Sequence, residues 1–196
     1  MAKPVDPNKR ADILKAAREV FKENGYEKAR VSDIAERAGV AKGTVYLYFQ
    51  SKWDMLDGLC AFYQGMINDA MHTAMQNPDP YQALEGTVHA VFTVAARERD
   101  LLKLLDLRLG LAGGGTAIEN PGAQKILKDY FRARAAAGEM QNYDPVVASE
   151  LAGGFIQWIS KLCFLWTSVD VSRYERSAVR MLQTALLTKS AKEAEK

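Results

Sequence analysis

Apolar side chains return every three, four or seven residues along almost the whole chain, and no stretch alternates strictly as a half-buried strand would. That repeat restricts the fold to the all-α class. Ile13, Leu14, Ala17, Val20 and Phe21 form one stripe, ended at Asn24-Gly25 as a left-handed glycine ends a helix. Ile34, Ala35 and Ala38 make a short second helix closed by Gly39, and residues 41–49 make a third. Ser51 then reads as a cap with a carboxylate, Asp54, three positions on. It opens a run of about 25 residues, roughly 38 Å of helix, that lasts to Asn77-Pro78-Asp79-Pro80. Further helices fit 81–98, 100–111, 117–137, 145–167 and 173–189. Breaks fall at Gly113-Gly114-Gly115 and Asn120-Pro121-Gly122, and a charged tail follows.

The expected division is a small head, residues 1–52, and a larger helical body, residues 53–196. Charge follows the same line. Residues 1–52 hold 11 Lys/Arg against 7 Asp/Glu, while the rest is slightly acidic, so the head is the part suited to a polyanion. The most apolar stretch, FIQWISKLCFLW (155–166), is interrupted by Gln157 and Lys161 and falls short of the ~20 residues of a membrane span. MAKPVDPNKRAD has no apolar segment of the kind a signal peptide needs, so a cytoplasmic location and no membrane partner are expected. Cys60 and Cys163 match no zinc or redox spacing, and His72 and His89 sit in helical patterns without ligand neighbours. The chain has no phosphate loop, nucleophile elbow or metal cluster. The paired acids Glu98/Asp100 and Asp54/Asp57 lie in charged helix surroundings, which points away from an enzyme and calls for no cofactor.

Three short helices with a tight glycine turn between the second and third are the parts of a helix-turn-helix. At 100° per residue, Val45 and Phe49 of residues 41–49 point inward, with Tyr48 and Ala41 beside them. Gly43 and Leu47 then point outward, flanked by Thr44 and Tyr46. Such a face suits a DNA groove: Gly43 lets the backbone approach, Thr44 and Tyr46 can donate, and Leu47 can meet a thymine methyl. Lys42 and Lys52 flank it, and the start of the long helix at Ser51 is expected to offer amides to a phosphate.

The segment VSDIAERAGVAKGTVYLYFQSKWDML resembles the helix-turn-helix signature of the TetR family of repressors. Ile34-Ala35, Ala38-Gly39-Val40, Lys42-Gly43-Thr44, Val45-Tyr46, Phe49 and Ser51-Lys52 carry the resemblance, and with Gly25-Tyr26 it covers about residues 9 to 58. It implies a DNA-binding regulator in which Lys42, Gly43, Thr44, Tyr46 and Tyr48 belong to the recognition helix or its flank, with Lys52 on a phosphate. Two positions depart from the family's habit. Arg30 and Ala41 stand where a hydroxyl residue commonly caps a helix and touches phosphate. The longer side chain of Arg30 can still reach a phosphate, but Ala41 cannot replace the cap.

One head reads few base pairs, so two are expected, about 34–36 Å apart on a palindromic double-stranded operator. Leu151, Phe155, Trp158, Ile159, Leu162, Leu165 and Trp166 form one stripe, with Ile156, Cys163 and Phe164 on the other side. A helix apolar almost all round buries two faces. Gly153-Gly154 permits close approach, and Leu151, Leu165 and Trp166 with Met181, Leu182, Ala185 and Leu186 on the last helix are the expected homodimer interface, as the resemblance also implies. The resemblance further implies release of DNA by a small-molecule effector. Its candidate lining is Phe62, Met66, Phe92, Leu105, Arg108, Leu109, Phe155, Trp158, Leu162 and Trp166, with Tyr130 and Gln157 as polar contacts. The alternative is a DNA-bound adaptor controlled by a protein partner.

Overall fold

The computed structural model describes residues 6–111 and 120–188, without the side chains of 108–111. In chain order the helices are α1 (Pro7–Asn24), α2 (Val31–Arg37), α3 (Lys42–Tyr48), α4 (Lys52–Ala74), α5 (Pro80–Arg97), α6 (Arg99–Leu111), α7 (Pro121–Ala136), α8 (Pro145–Lys161) and α9 (Val171–Leu186). Among the described residues no strand forms, and an isolated bridge joins Met140 to Leu187. The glycine run at 113–115 and the charged tail lie outside the described residues.

Most helix starts follow from local chemistry. A carboxylate or amide one residue ahead of the helix accepts from its first free N–H groups: Asp6 from Asn8, Asp79 from Tyr81 and Gln82, Asn120 from Ala123, Asp144 from Val146 and Val147, Asp170 from Arg173. Pro7, Pro80, Pro121 and Pro145 follow four of these caps, where the missing N–H costs nothing and the ring presets φ. At α4, Ser51 Oγ accepts the Asp54 amide at 3.1 Å. The Asp54 carboxylate reaches back to the Gln50 amide at 2.8 Å.

The expected helix 145–167 is not uniform. α8 ends at Lys161, and Leu162–Trp166 winds as a single π-turn. The Thr167 N–H donates to the Leu162 carbonyl five residues back, at 3.1 Å, and the Arg99 Nε donates to the Phe164 carbonyl at 2.7 Å. Widening the turn rotates Leu165 and Trp166 away from the positions a constant 100° wheel gives them.

The chain divides into two compact units, one drawn from Met1–Tyr63 and Asp100–Gly115, the other from Gln64–Arg99 and Thr116–Lys196. In the first, Ile13, Ala17, Val20 and Phe21 of α1, Ile34 of α2, Val45 of α3 and Met55, Leu56 and Leu59 of α4 are buried. Each large side chain so removed from water is worth about 1.5–3 kcal/mol. Helices α1 and α4 approach closely enough that a Cβ on Gly58 would lie 2.9 Å from Leu14 Cδ2. In the second unit, Leu84, Val88 and Phe92 of α5, Leu127 and Phe131 of α7, Ile156 of α8 and Leu182 and Leu186 of α9 form the core.

Candidate nucleic-acid interface

Two seven-residue helices are too short to hold themselves together in water, so their order comes from neighbours. α2 ends in a double turn bond: Gly39 N–H to the Glu36 carbonyl at 3.1 Å and Val40 N–H to the Ala35 carbonyl at 3.0 Å. Gly39 adopts φ 65°, the left-handed conformation this closure needs and a Cβ resists. Arg37 holds α2 to α1 through a two-pronged bond to Glu23, both arms 2.7 Å, with Glu19 at 3.6 Å. The guanidinium beside it pulls the Glu23 carboxyl below its ordinary value.

α3 is arranged as its spacing predicts on its inner face. Val45 and Phe49 are buried, and the Arg10 guanidinium covers the Phe49 ring at 4.9 Å. The outer face carries Leu47, 74% exposed, and Tyr46, 47% exposed, with Gly43 open to solvent. Thr44 is half-buried beside them. Lys42 and Arg30 are exposed and carry no ion pair among the described residues. Neither α2 nor α3 has a side-chain cap, since Arg30 and Ala41 occupy the cap positions. Ala41 is exposed rather than turned inward, because it lies outside the helix with extended backbone.

Three expected contacts are placed differently. The Tyr48 hydroxyl accepts the Asp6 amide at 3.2 Å, tying the last turn of α3 to the cap of α1, a contact spanning 42 residues that leaves no local sequence signal. The Lys52 ammonium donates to the Tyr26 and Glu27 carbonyls at 2.7 and 3.1 Å and lies 4.8 Å over the Tyr26 ring. At the start of α4, the amides of Gln50 and Asp54 are bonded within the chain. The Asp54 carboxylate brings negative charge to that end of the helix.

In the second unit an apolar groove of about 450 Å³ runs between α8 and α9, lined by Tyr143, Val147, Leu151, Phe155, Met181 and Ala185 among others. Leu151 is 69% exposed and Met181 60% exposed, while Leu182 and Leu186 form the buried floor rather than a free face. Along α8, Val147, Leu151, Gly154 and Trp158 share the exposed stripe, so Trp158 faces outward, not into a cavity of its unit. Gly153 faces α7 instead, where its Cβ would meet Leu127 Cδ1 at 3.1 Å. Leu165 and Trp166 do not line the groove; Trp166 is partly exposed, with the buried Lys161 ammonium 6.0 Å from its ring centroid.

The expected effector lining is scattered by environment. Phe92 is buried edge-on to Phe164 at 5.8 Å, and Leu105 is wholly buried. Met66 Sδ accepts from Arg97 at 3.4 Å, and Phe62 is more than half exposed. Leu162 lies in the π-turn, half-buried, as is Gln157 on α8. Tyr130 is buried, its hydroxyl has no bonding partner among the described residues, and burial pushes its pKa up. Burial likewise pushes the Cys163 thiol up, away from thiolate chemistry. The side chains of Arg108 and Leu109 lie outside the described residues. Among the described residues no group of three or more His, Cys, Asp or Glu stands at metal-binding distance, and no helix is long and apolar enough to cross a membrane.

Residues 13–59 match the family model described as bacterial regulatory proteins, tetR family. The fatty acid metabolism regulator protein of Bacillus subtilis is 36% identical over 98 residues, 50% of each chain. The HTH-type transcriptional repressor KstR of Mycobacterium tuberculosis is 25% identical over 179 residues, 89% of this chain and 80% of that one. The first curated relatives are thus matched over about half their length. A solved structure, the transcriptional regulator FadR from Bacillus subtilis in complex with stearoyl-CoA, has a TM-score of 0.71 and 26% identity, covering 88% of this chain and 96% of that one.

Proposed function

We propose that the chain, whose residues 13–59 match the tetR-family model, is a DNA-binding transcriptional regulator of that family and not an enzyme: a homodimeric repressor of a palindromic operator, released by a small molecule. Residues 1–52 act as the reading head and 53–196 as the sensing and dimerising body. The observation that carries the reading is the outer face of α3, where Leu47 and Tyr46 stand exposed beside the open Gly43 while Val45 and Phe49 anchor the inner side. In this role Tyr46 and Thr44 donate, Leu47 makes apolar contact with base edges, and Lys42 and Arg30 take phosphates.

The α8–α9 groove receives the second copy, with Leu151, Met181, Val147 and Trp158 as its anchors. An exposed apolar stripe of this kind is otherwise an aggregation hazard. The effector class to test first is a long-chain acyl-CoA, the ligand in the solved FadR relative. To release DNA it must bind the two conformations unequally, with a coupling on the order of 1–3 kcal/mol.

The test is fluorescence anisotropy of a labelled duplex from upstream of the protein's own gene, at fixed salt, against a scrambled duplex. A preference of about a thousandfold, reduced by stearoyl-CoA, is the expected result. Equal binding to both duplexes, together with a monomer in sedimentation, contradicts the reading.

A further inference from the structure

We propose that Leu47 reads a 5-methylpyrimidine, so that each operator half-site carries a thymine at one fixed position, which 5-methylcytosine can replace. The inference rests on the DNA-reading role proposed for α3 and names the chemistry that its outer face selects.

Leu47 is 74% exposed, more than any other large apolar residue among the described ones. The next, Leu151 at 69%, shares its groove with Val147, Phe155 and Met181. Leu47 has no such apolar company on its own helix, where its outward neighbours are Gly43, Thr44 and Tyr46. A helical side chain leans towards the N-terminus, over the residue four places back. For Leu47 that residue is Gly43, at which a Cβ would meet no atom within 4 Å. The isobutyl group therefore lies over bare backbone on the outermost line of α3. Val45 and Phe49 are 0% and 2% exposed on the opposite side, so α3 cannot roll to bury Leu47 without bringing them into water.

A leucine side chain has no donor and no acceptor. Pressed against the major-groove edge of adenine, guanine or cytosine, it covers polar atoms and leaves them unbonded, which costs binding. Thymine carries the one apolar group that the four bases show on that edge, the C5 methyl. On cytosine the same carbon bears hydrogen, and methylating it presents the same apolar group. Thr44 and Tyr46 bring hydroxyls that both donate and accept, so they fit several edges. Leu47 fits one.

Removing a single methyl from the DNA isolates the contact. Full-length wild type and Leu47→Ala are titrated by anisotropy with a labelled duplex that the wild type selects from a random-sequence pool. Each thymine of a half-site is replaced in turn by uracil, which keeps the base pair and removes only the methyl. The symmetric change is made in the other half-site. Burying one methyl is worth about fourfold in affinity, and two independent half-sites about 15-fold. At one position, then, uracil should weaken wild-type binding about 15-fold, and Leu47→Ala should not respond there. With a C·G pair at that position, 5-methylation of the cytosine in both half-sites should tighten wild-type binding by about the same factor and leave Leu47→Ala unchanged.

A wild type indifferent to uracil at every position overturns the inference. So does a methyl response that persists whole in Leu47→Ala, or 5-methylcytosine that binds no better than cytosine. Urea unfolding checks the variant; if Leu47→Ala does not fold, Leu47→Gln takes its place, and the same loss of methyl response is required. A wild type that selects a duplex and ignores its methyls keeps the DNA-reading role and loses only this inference. A wild type that selects no duplex loses both.

Discussion

The reading helices and the body helices are held in opposite ways. α5, α7, α8 and α9 each run 16 to 18 residues and begin at an Asp or Asn cap that satisfies their first amides. α2 and α3 have seven residues each and no side-chain cap at all. What the body helices carry in their own sequence, the reading helices borrow: Arg37 on Glu23, the Gly39 turn, Tyr48 on the Asp6 amide and Arg10 over Phe49. The difference shows that α3 is displayed by tertiary contacts from its inner side, which leaves its outer side free of structural duty. A reading surface needs that freedom.

Substitutions can break or sharpen this contrast, beginning with the largest effect. Ile34→Ala removes a wholly buried side chain from under the reading element and should cost about 2–5 kcal/mol in urea unfolding; a loss below about 1 kcal/mol would show that α2 does not depend on that core. Next, Leu151→Glu with Met181→Glu places charge on the exposed groove. Sedimentation should show a monomer with an unchanged helical spectrum, and a persisting dimer would move the second copy elsewhere. In the body, Asp144→Ala should cost about 1 kcal/mol, because two amides lose their acceptor. In the head the matching change runs the other way. Ala41→Ser supplies a missing cap and should add about 0.5–1 kcal/mol; no gain would mean that the start of α3 is already satisfied.

The smallest effect concerns pH. The Glu23 carboxyl is held below its ordinary value by Arg37, so its contribution is present above the unfolded pKa and is lost as pH falls through the folded one. Glu23→Gln should therefore shift the urea midpoint slightly at neutral pH and not at all in strong acid. An equal shift at both would assign the effect to something other than the ion pair.

The same contrast explains what was legible in the sequence. Three body helices carry an Asp-Pro or Asn-Pro pair at their start; the expected starts at 81 and 145 lie within one residue of Pro80 and Pro145, whereas the helix expected over 117–137 is described from Pro121, where the break was placed. The inner and outer sides of α3 were readable because Val45 and Phe49 repeat at four residues. Long-range partners were not readable. Nothing near Tyr48 points to Asp6, and nothing near Lys52 points to the carbonyls of Tyr26 and Glu27, since backbone acceptors have no residue identity. At the start of α4, Asp54 marks the cap, and its carboxylate also takes the Gln50 amide, a bond that the cap pattern alone does not announce. In the body, the apolar stripe put Trp158 in the expected effector lining and Trp166 both there and at the expected dimer interface. The π-turn and the exposed line Val147–Leu151–Gly154–Trp158 place them at the surface.

The account turns on the outer face of α3, and one titration reaches it directly. Tyr46→Ala and Leu47→Ala together are compared with wild type by anisotropy, on a duplex that the wild type selects from a random-sequence pool and on a scrambled one, with sedimentation and unfolding run in parallel. The account predicts a loss of about 10- to 100-fold on the selected duplex, near-constant scrambled binding, and an unchanged oligomer and stability. Selected-duplex affinity equal to wild type would contradict it and remove α3 as the reading helix.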